Sequence, residues 1–324
     1  MESLSKIIGI LRSKKEVSGE EIASELGISR TSVWKNINRL KGKGFDIISS
    51  RRGYRMIEEA DLLLPYRLRG LINTKIIGRH IEYFAHCDSA NNIAKKLARE
   101  GSKEGTLIIC EEQEAGRGRL ERKWVSPRGG LWFSVILKPS MTPVEAPRLG
   151  FLTSLSVAKT LRRRYGLEAS LKWPNDVLIN GKKVCGVLVE VEAEMDILHF
   201  AVVGVGLDAN LSIKDFPEEV QEIATTLKEE LGREVDRAKL LADILSEMEK
   251  NYNSLTLYGF ESIFQEYMDL CSTIQKEVRV VQHGREITGK AVEIDKEGAL
   301  IVLTSEGRVR ITYGDCYHLR NIEP

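Results

Sequence analysis

The first sixty residues contain two hydrophobic patterns with helical spacing. The segment from Ser18 to Glu21 matches a capping box at the start of a short helix, and Gly27 is placed to end that helix. Ser29 is placed to cap a second helix. The predicted buried positions are Ile22, Ala23 and Leu26 in the first helix and Val33, Ile37 and Leu40 in the second. Two short helices joined by a tight turn predict a helix-turn-helix.

After Gly44 the pattern changes to the alternation that is typical of strands. Phe45 and Ile47 lead into Ser50-Arg-Arg-Gly53, and the alternation then continues through Tyr54-Arg-Met56. These residues predict a β-hairpin with two arginines at its tip, which would be the wing of a winged helix-turn-helix. We therefore expect a winged helix-turn-helix domain over residues 1–60.

The central part of the chain alternates between strand-like and helix-like segments. The predicted strands are 106–110, 131–137, 184–191 and 200–205, and the predicted helices are 91–99, 148–165 and 237–255. This alternation indicates one α/β domain with a mixed sheet over residues 67–270. Closely spaced strands at 278–281, 287–294, 300–303 and 309–313 predict a small β-barrel over residues 271–324.

Composition supports a folded chain that is basic at its N-terminal end. The 324 residues are 42% hydrophobic and carry a formal net charge of +1, but residues 1–57 hold twelve lysines and arginines against six acidic residues. A basic helix-turn-helix favours an anionic partner such as DNA. The residues expected to contact DNA are Ser29, Arg30, Thr31, Lys35 and Asn38 in the second helix and Arg51 and Arg52 in the wing.

The cysteines and the hydropathy pattern predict a reduced, cytoplasmic protein. The five cysteines are scattered and form no C-x-x-C pair, so we expect neither a disulfide framework nor a zinc site. No run of apolar residues approaches the length of a membrane span, and the first fifteen residues do not resemble a signal peptide.

Two segments of the central domain are unusual for a surface loop or a simple hairpin. Residues 113–124 (QEAGRGRLERKW) concentrate glycines and cations, a composition that lets backbone and guanidinium groups approach a phosphate or carboxylate. Residues 172–176 (KWPND) place Asn175 and Asp176 near a strand end, and Lys183 on the returning strand could point to the same place. Taken alone, the first segment also fits a solvated loop and the second a hairpin with a polar turn.

The order and spacing of these segments resemble the biotin protein ligase family. A D-S-T-N-type element at Asp88-Ser-Ala-Asn91 precedes G-R-G-R-x-x-R-K-W, K-W-P-N-D, the lysine before a glycine-containing strand, and the G-x-G strand Gly204-Val-Gly206. With the winged helix included, the chain resembles the bifunctional members that also repress the biotin operon. The resemblance implies an α+β protein with a class II synthetase-like α/β catalytic domain and a C-terminal SH3-like barrel.

The resemblance also implies roles for individual residues. Biotin would be bound by Ser89, Ala90, Asn91, Gln113, Arg117, Gly118, Arg119, Lys183, Gly186, Gly204 and Gly206. ATP would be bound by Arg117, Arg122, Lys123, Trp124, Asn175 and Lys183. Lys183, Arg119 and Asp176 would take part in catalysis. Two positions depart from the family pattern: Ala90 stands where threonine is usual, and Asp208 where asparagine is usual.

The activity implied by the resemblance is the ATP-dependent formation of biotinyl-5′-AMP, assisted by Mg²⁺. Biotin would then pass to a lysine of a biotin carboxyl carrier protein, and the adenylate would promote operator binding by a homodimer. We predict no metal held by protein side chains alone and no membrane partner. Three alternatives stay open: a lipoate ligase, a regulator whose α/β domain only senses a small molecule, and a ligase whose winged helix no longer binds DNA.

Overall fold

The N-terminal segment forms three helices and a hairpin. A computed structural model describes residues 2–42, 45–58, 61–282 and 284–319, so the predicted boundary at residue 60 and the chain end at 324 lie outside the described residues. The elements are α1 (Glu2–Ser13), α2 (Gly19–Leu26), α3 (Arg30–Lys41), β1 (Asp46–Ser50) and β2 (Gly53–Glu58). These elements belong to the first of two compact units, residues 1–62 and 63–324.

Local capping explains the boundaries in this first unit. The Ser18 side chain accepts a hydrogen bond from the Glu21 backbone N–H, and the Glu21 carboxylate accepts one from the Ser18 backbone N–H. Gly27 ends α2 in the left-handed region at φ 64°, where glycine has no steric penalty. The predicted buried face of α3 is confirmed, since Val33, Ile37 and Leu40 are buried. Helix α1 was not predicted.

A seven-stranded mixed sheet forms the centre of the second unit. Its strands are β3 (Ile81–Phe84), β4 (Leu107–Cys110), β5 (Leu131–Leu137), β6 (Ala169–Lys172), β7 (Asp176–Ile179), β8 (Lys182–Glu194) and β9 (Ile197–Leu207). Their order is β3-β4-β5-β9-β8-β7-β6, in which β3 and β4 are parallel and the other neighbours are antiparallel. The prediction of a mixed sheet is therefore confirmed.

Helices cover both faces of this sheet. They are α4 (Pro65–Arg69), α5 (Ala90–Arg99), α6 (Arg148–Tyr165), α7 (Glu218–Gln221), α8 (Leu227–Leu231), α9 (Arg237–Tyr258) and α10 (Glu261–Leu270). Helices α6, α9 and α10 pack on one face, while α5 buries Ala90, Ala94 and Ala98 against the other. Strand β4 is fully buried because alternate side chains contribute to the two cores.

The C-terminal strands form a second, antiparallel sheet in the same unit. They are β10 (Glu277–Gln282), β11 (Arg285–Ile294), β12 (Leu300–Thr304), β13 (Gly307–Ile311) and β14 (Asp315–His318), in the order β13-β12-β11-β10-β14. The four predicted C-terminal strands are confirmed, and β14 was not predicted. Among the helices within the described ranges, none is long and apolar enough to cross a membrane.

The expectation that all cysteines are reduced is wrong for one pair. Cys87 and Cys110 form a disulfide with their Cα atoms 6.3 Å apart. The two cysteines are 23 residues apart in the sequence, so no local pattern indicates that they pair. The parallel pairing of β3 and β4 brings Cys110 and the residues that follow β3 to the same end of the two strands. Cys185, Cys271 and Cys316 are free.

A buried ion pair connects α9 to the end of β4. The Arg237 guanidinium lies 3.0 Å from the Glu111 carboxylate, and both side chains are at most 3% exposed. Glu111 also accepts a hydrogen bond from the backbone of Leu63, and Arg237 donates one to the carbonyl of Gly130. This network fixes the segments on either side of the cationic loop, residues 113–124.

Candidate active site

A cavity of about 310 Å³ opens on the face of the seven-stranded sheet. Its walls come from β5, β7, β8 and β9, from the start of α5, from the cationic loop and from β14. Every residue predicted to bind biotin or ATP lines this cavity. The structure therefore brings together segments that lie more than a hundred residues apart in sequence.

One end of the cavity is polar and centred on Asn91. The Asn91 amide nitrogen donates to Glu190 at 2.7 Å, and its amide oxygen accepts from the Ser134 hydroxyl at 2.6 Å. Lys95 neutralises Glu190 from the next turn of α5, at 2.7 Å. Although burial acts to raise it, the pKa of Glu190 is lowered by hydrogen bonds from Lys95 and Asn91, so the carboxylate stays charged.

Gln113 ties this end of the cavity to the loop. Its amide oxygen accepts from the backbone N–H of Ala90 at 2.8 Å, and its amide nitrogen donates to the hydroxyl of Ser126 at 3.0 Å. Ala90 thus contributes its backbone N–H, and this contact would be the same with the threonine that is usual in the family. Ser89 is the N-cap residue of α5 but makes no side-chain cap bond, and it is only 3% exposed.

Polar groups elsewhere on the fold contact three arginines of the cationic loop and restrain it. Arg117 donates to the amide of Asn92 and lies 3.7 Å from Glu190. Arg119 donates to the Gly314 carbonyl at 3.2 Å, and Arg122 contacts Asp315 at 2.7 Å. Lys123 is exposed at the rim of the cavity.

Two of these restraints come from β14 and the residue before it. Arg122 also donates to the hydroxyl of Tyr317 at 2.5 Å. No sequence pattern points to Gly314, Asp315 and Tyr317, because they follow the loop by almost 200 residues. Ser134 and Glu190 were not predicted either, since both look like ordinary strand residues in the sequence.

The catalytic candidates Lys183 and Asp176 form a close ion pair. The Lys183 ammonium lies 2.6 Å from one Asp176 carboxylate oxygen, and Lys172 lies 3.6 Å from the other. Burial acts to raise the pKa of Asp176, but Lys183 and Lys172 outweigh it and keep the pKa below the usual range. Arg119 reaches the same region and donates to Asn175 at 3.4 Å.

Trp124 covers this ion pair and packs against two strands at their glycines. The Lys183 ammonium is 4.9 Å from the centre of the indole ring, within range of a cation–π interaction. A Cβ atom at Gly206 would lie 2.6 Å from Trp124, and one at Gly186 would lie 3.0 Å from it. A Cβ at Gly204 would lie 2.1 Å from the oxygen of Asn91. These glycines therefore make room for site side chains.

The other end of the cavity is mostly apolar. The segment after β9 contributes Phe216, Val220, Ile223 and Ala224, and it pairs with β8 through a 2.8 Å hydrogen bond from the Lys183 backbone to the Ile223 carbonyl. Asp208 is buried here, at 2% exposure. Among the described residues, no group of three or more His, Cys, Asp or Glu side chains is arranged to hold a metal ion.

The N-terminal unit presents a separate polar surface on α3. Arg30, Thr31, Lys35 and Asn38 are exposed on α3, and Arg51 and Arg52 are exposed in the β1–β2 turn. Ser29 accepts a hydrogen bond from the Ser32 backbone, so its side chain caps α3. The predicted DNA-contacting residues therefore lie on α3 and the wing.

Comparisons with known proteins match each part of this organisation. Residues 3–55 match an HTH domain, residues 83–208 match the biotin/lipoate A/B protein ligase family, and residues 273–319 match the biotin protein ligase C terminal domain. A biotin protein ligase from Aquifex aeolicus, solved with biotin and ATP, is similar to 75% of this chain over its whole length, with a TM-score of 0.65 and 31% identity.

Full-length relatives combine the three parts in the same order. The bifunctional ligase/repressor BirA of Bacillus subtilis is 36% identical over 92% of this chain and 93% of its own length. The bifunctional ligase/repressor BirA of Escherichia coli is 29% identical over 98% and 97%. The chain therefore belongs to the biotin protein ligase family, within its group of bifunctional ligase/repressor proteins.

Proposed function

We propose that this protein joins biotin to ATP to form biotinyl-5′-AMP and then transfers the biotin to a lysine of a biotin carboxyl carrier protein. One observation carries the proposal: a single cavity has an amide-rich end at Asn91 and Gln113 and a strongly cationic region around Lys183. The first suits the neutral ureido group of biotin. The second suits a carboxylate that meets a phosphate.

In the first step, an oxygen of the biotin carboxylate attacks the α-phosphorus of ATP, and pyrophosphate leaves. Lys183 is placed to neutralise the charge that develops on the phosphoryl oxygens. Its present partner is Asp176, so the incoming anions would share the ammonium with that carboxylate. Arg119 and Arg122 supply further positive charge from the loop.

Mg²⁺ would reach this site with the triphosphate. The described residues provide no cage of three carboxylate, histidine or cysteine ligands, which fits an ion that is held mainly by phosphate oxygens and water. When bound, the ion offsets phosphate charge. The protein side chains of the cationic loop position the nucleotide around it.

In the second step, the neutral amine of the acceptor lysine attacks the anhydride carbonyl, and AMP leaves. Asp176 is ionised and lies beside Lys183, so it is available to orient the incoming amine and to accept its proton. Trp124 covers the ion pair, which would limit hydrolysis of the adenylate by water.

The test of the first step is pyrophosphate exchange into ATP with biotin or lipoate as the acid. We expect exchange with biotin and little with lipoate, because the polar end offers amide groups to a ureido ring. Exchange with lipoate alone would assign a lipoate ligase. No exchange with either acid, in a chain that binds biotin, would favour a regulator that only senses the small molecule.

A substitution at Gly204 tests the polar end directly. Gly204→Ala places a methyl group against Asn91, which must move and lose its bonds to Glu190 and Ser134. Losing buried hydrogen bonds of this kind costs about 1–3 kcal/mol, so we expect biotin to bind roughly ten times more weakly or worse. Calorimetry measures the change. Gly150→Ala is the control, since its new methyl group meets nothing closer than 3.6 Å; equal biotin affinity in both variants would remove Asn91 from the site.

We also propose that the winged helix binds operator DNA as part of a homodimer, with biotinyl-5′-AMP as the corepressor. The exposed side of α3 can enter a major groove, while Arg51 and Arg52 contact phosphates or the minor groove. Two copies are needed because one module reads few base pairs. The carrier protein and ATP suggest a cytoplasmic location.

Arg30 tests the repressor role. If Arg30 contacts a base, Arg30→Ala should weaken operator binding by about 1–3 kcal/mol and have a smaller effect on unrelated DNA. Lys15→Ala removes the same charge from an exposed position outside α3 and should weaken both DNAs equally. The measurement is a DNA titration at fixed salt, with and without biotin and ATP. If the protein binds operator DNA no more tightly than unrelated DNA, both with and without biotin and ATP, its winged helix has no regulatory role.

A further inference from the structure

Glu190 is a charged residue that contacts the site without lining the cavity. It lies on β8, and its two carboxylate oxygens have different partners. Oε2 accepts a hydrogen bond from the amide of Asn91 at 2.7 Å, and Oε1 accepts one from the ammonium of Lys95 at 2.7 Å. The Arg117 guanidinium of the cationic loop lies 3.7 Å from Oε1. Since Asn91 and Arg117 line the cavity, an effect of Glu190 on a ligand would pass through these two neighbours.

The contact with Asn91 fixes the direction in which its amide group points. An amide can rotate by half a turn and exchange its donor and acceptor ends, and the Ser134 hydroxyl suits both arrangements because it can donate or accept. A carboxylate only accepts, so Glu190 holds the amide nitrogen on its own side and leaves the amide oxygen 2.6 Å from Ser134. Glu190 therefore determines which polar atoms Asn91 presents to a ligand.

The contact with Arg117 attaches the cationic loop to the first turn of α5. Arg117 also donates a hydrogen bond to Asn92, the residue after Asn91. The side chains of Glu190, Lys95 and Arg117 are 24%, 26% and 25% exposed, so water and salt weaken their attraction without abolishing it. The negative charge at position 190 therefore adds a modest attraction that holds Arg117, and with it the loop, beside the polar end of the cavity.

We propose that Glu190 is a positioning residue with two separate actions at the polar end of the cavity. Its hydrogen bond orients Asn91 for the ureido group of biotin, and its charge holds the cationic loop over the bound biotin through Arg117. One carboxylate would thus connect the recognition of biotin to the position of the loop. The inference rests on the proposed function, because it takes biotin as the ligand.

Two variants separate the hydrogen bond from the charge. Glu190→Ala removes both. Glu190→Gln alone would direct its NH₂ group towards either Asn91 or Lys95, and both of these are donors. The double variant Glu190→Gln/Lys95→Met avoids this conflict, because it keeps an oxygen that accepts from Asn91 and removes the charge at position 190.

Glu192 provides a matched control on the same strand. It lies two residues along β8 and contacts Arg99 of α5 at 2.6 Å, and neither side chain lines the cavity. Glu192→Gln therefore removes a carboxylate charge from the contact between β8 and α5 without touching the site.

The first measurement is biotin affinity by calorimetry. We expect Glu190→Ala to bind biotin at least roughly tenfold more weakly than the wild-type protein, the scale of one lost hydrogen bond to a charged group. The double variant and Glu192→Gln should bind biotin within about threefold of the wild-type protein. Thermal melting checks that each variant folds. The orienting role is overturned if folded Glu190→Ala binds as tightly as Glu192→Gln, or if the double variant binds as weakly as Glu190→Ala.

The second measurement is the rate at which trypsin cuts loop 113–124 with biotin at a saturating concentration for each protein. Glu190→Ala and the double variant should both be cut about two- to fivefold faster than the wild-type protein, the scale of one partly exposed ion pair. Glu192→Gln should be cut at the wild-type rate. Wild-type cleavage of the folded double variant would overturn the action on the loop. A wild-type protein that binds no biotin would instead contradict the proposed function, which keeps the two failures apart.

Discussion

Replacing Lys183 with alanine is expected to slow adenylate formation by roughly 10²-fold or more while leaving the fold intact. Removing one group that stabilises transition-state charge has an effect of this size. Lys183 lines the cationic region of the cavity, and its ammonium lies 2.6 Å from Asp176. Its loss would therefore remove a positive charge beside the reacting phosphate and leave the Asp176 carboxylate less neutralised. Single-turnover formation of the adenylate measures the effect separately from transfer.

Lys182 provides a matched control for this prediction. It precedes Lys183 in β8, is exposed and carries the same charge, but it does not line the cavity. Lys182→Ala should therefore leave adenylate formation close to the wild-type rate. If a folded Lys183→Ala protein forms adenylate as fast as Lys182→Ala, Lys183 does not stabilise the transition state.

The second large effect is expected for stability, at the buried pair Glu111 and Arg237. Glu111→Leu would leave the Arg237 guanidinium buried without its carboxylate and the Leu63 backbone N–H without its acceptor. Breaking a buried ion pair in this way costs about 3–5 kcal/mol. Urea unfolding of the full chain, followed by tryptophan fluorescence, would measure the lower free energy of unfolding.

An exposed ion pair supplies the comparison. Glu192 contacts Arg99 at 2.6 Å, but the two side chains are 38% and 62% exposed, so Glu192→Ala should cost at most about 1 kcal/mol. The double variant Glu111→Leu/Arg237→Met should recover part of the loss, because it removes the orphaned charge. If Glu111→Leu destabilises the protein no more than Glu192→Ala does, the buried network is not a major contributor to stability.

The winged helix was predictable from sequence because its signals are local. The capping box at Ser18, the glycine at position 27 and the spacing of Val33, Ile37 and Leu40 each act within a few residues, and the structure contains the helices they predict. Helix α1 was missed although Leu4, Ile7, Ile8 and Leu11 are buried. Unlike α2, this helix has no capping box before it and no glycine directly after it in the sequence.

The segments that line the cavity were identified by motif, whereas the contacts among them depend on the fold. Glu190 accepts hydrogen bonds from Asn91 and Lys95, which precede it by almost a hundred residues in the sequence. Asp315 contacts Arg122, and the sequence separation of this pair is larger still. No local pattern distinguishes such residues from ordinary strand positions. The Cys87–Cys110 disulfide was missed for the same reason, since it follows from the parallel pairing of β3 and β4.

The glycines show a further limit of prediction from motifs. Gly204 and Gly206 were expected to contact biotin, and the structure places Asn91 and Trp124 directly against them. Both glycines leave space for those side chains, a role that the motif alone does not indicate, and their contact with biotin stays a prediction. That distinction required the positions of neighbouring elements.

The most direct test of the ligase proposal follows labelled biotin into protein. The full chain is incubated with labelled biotin, ATP, Mg²⁺ and a biotin carboxyl carrier domain, and the label is counted on the carrier after denaturation. We predict stable labelling of one carrier lysine that requires ATP and falls sharply with Lys183→Ala. A carrier that stays unlabelled, under conditions in which a known biotin protein ligase labels it, would contradict the proposed function.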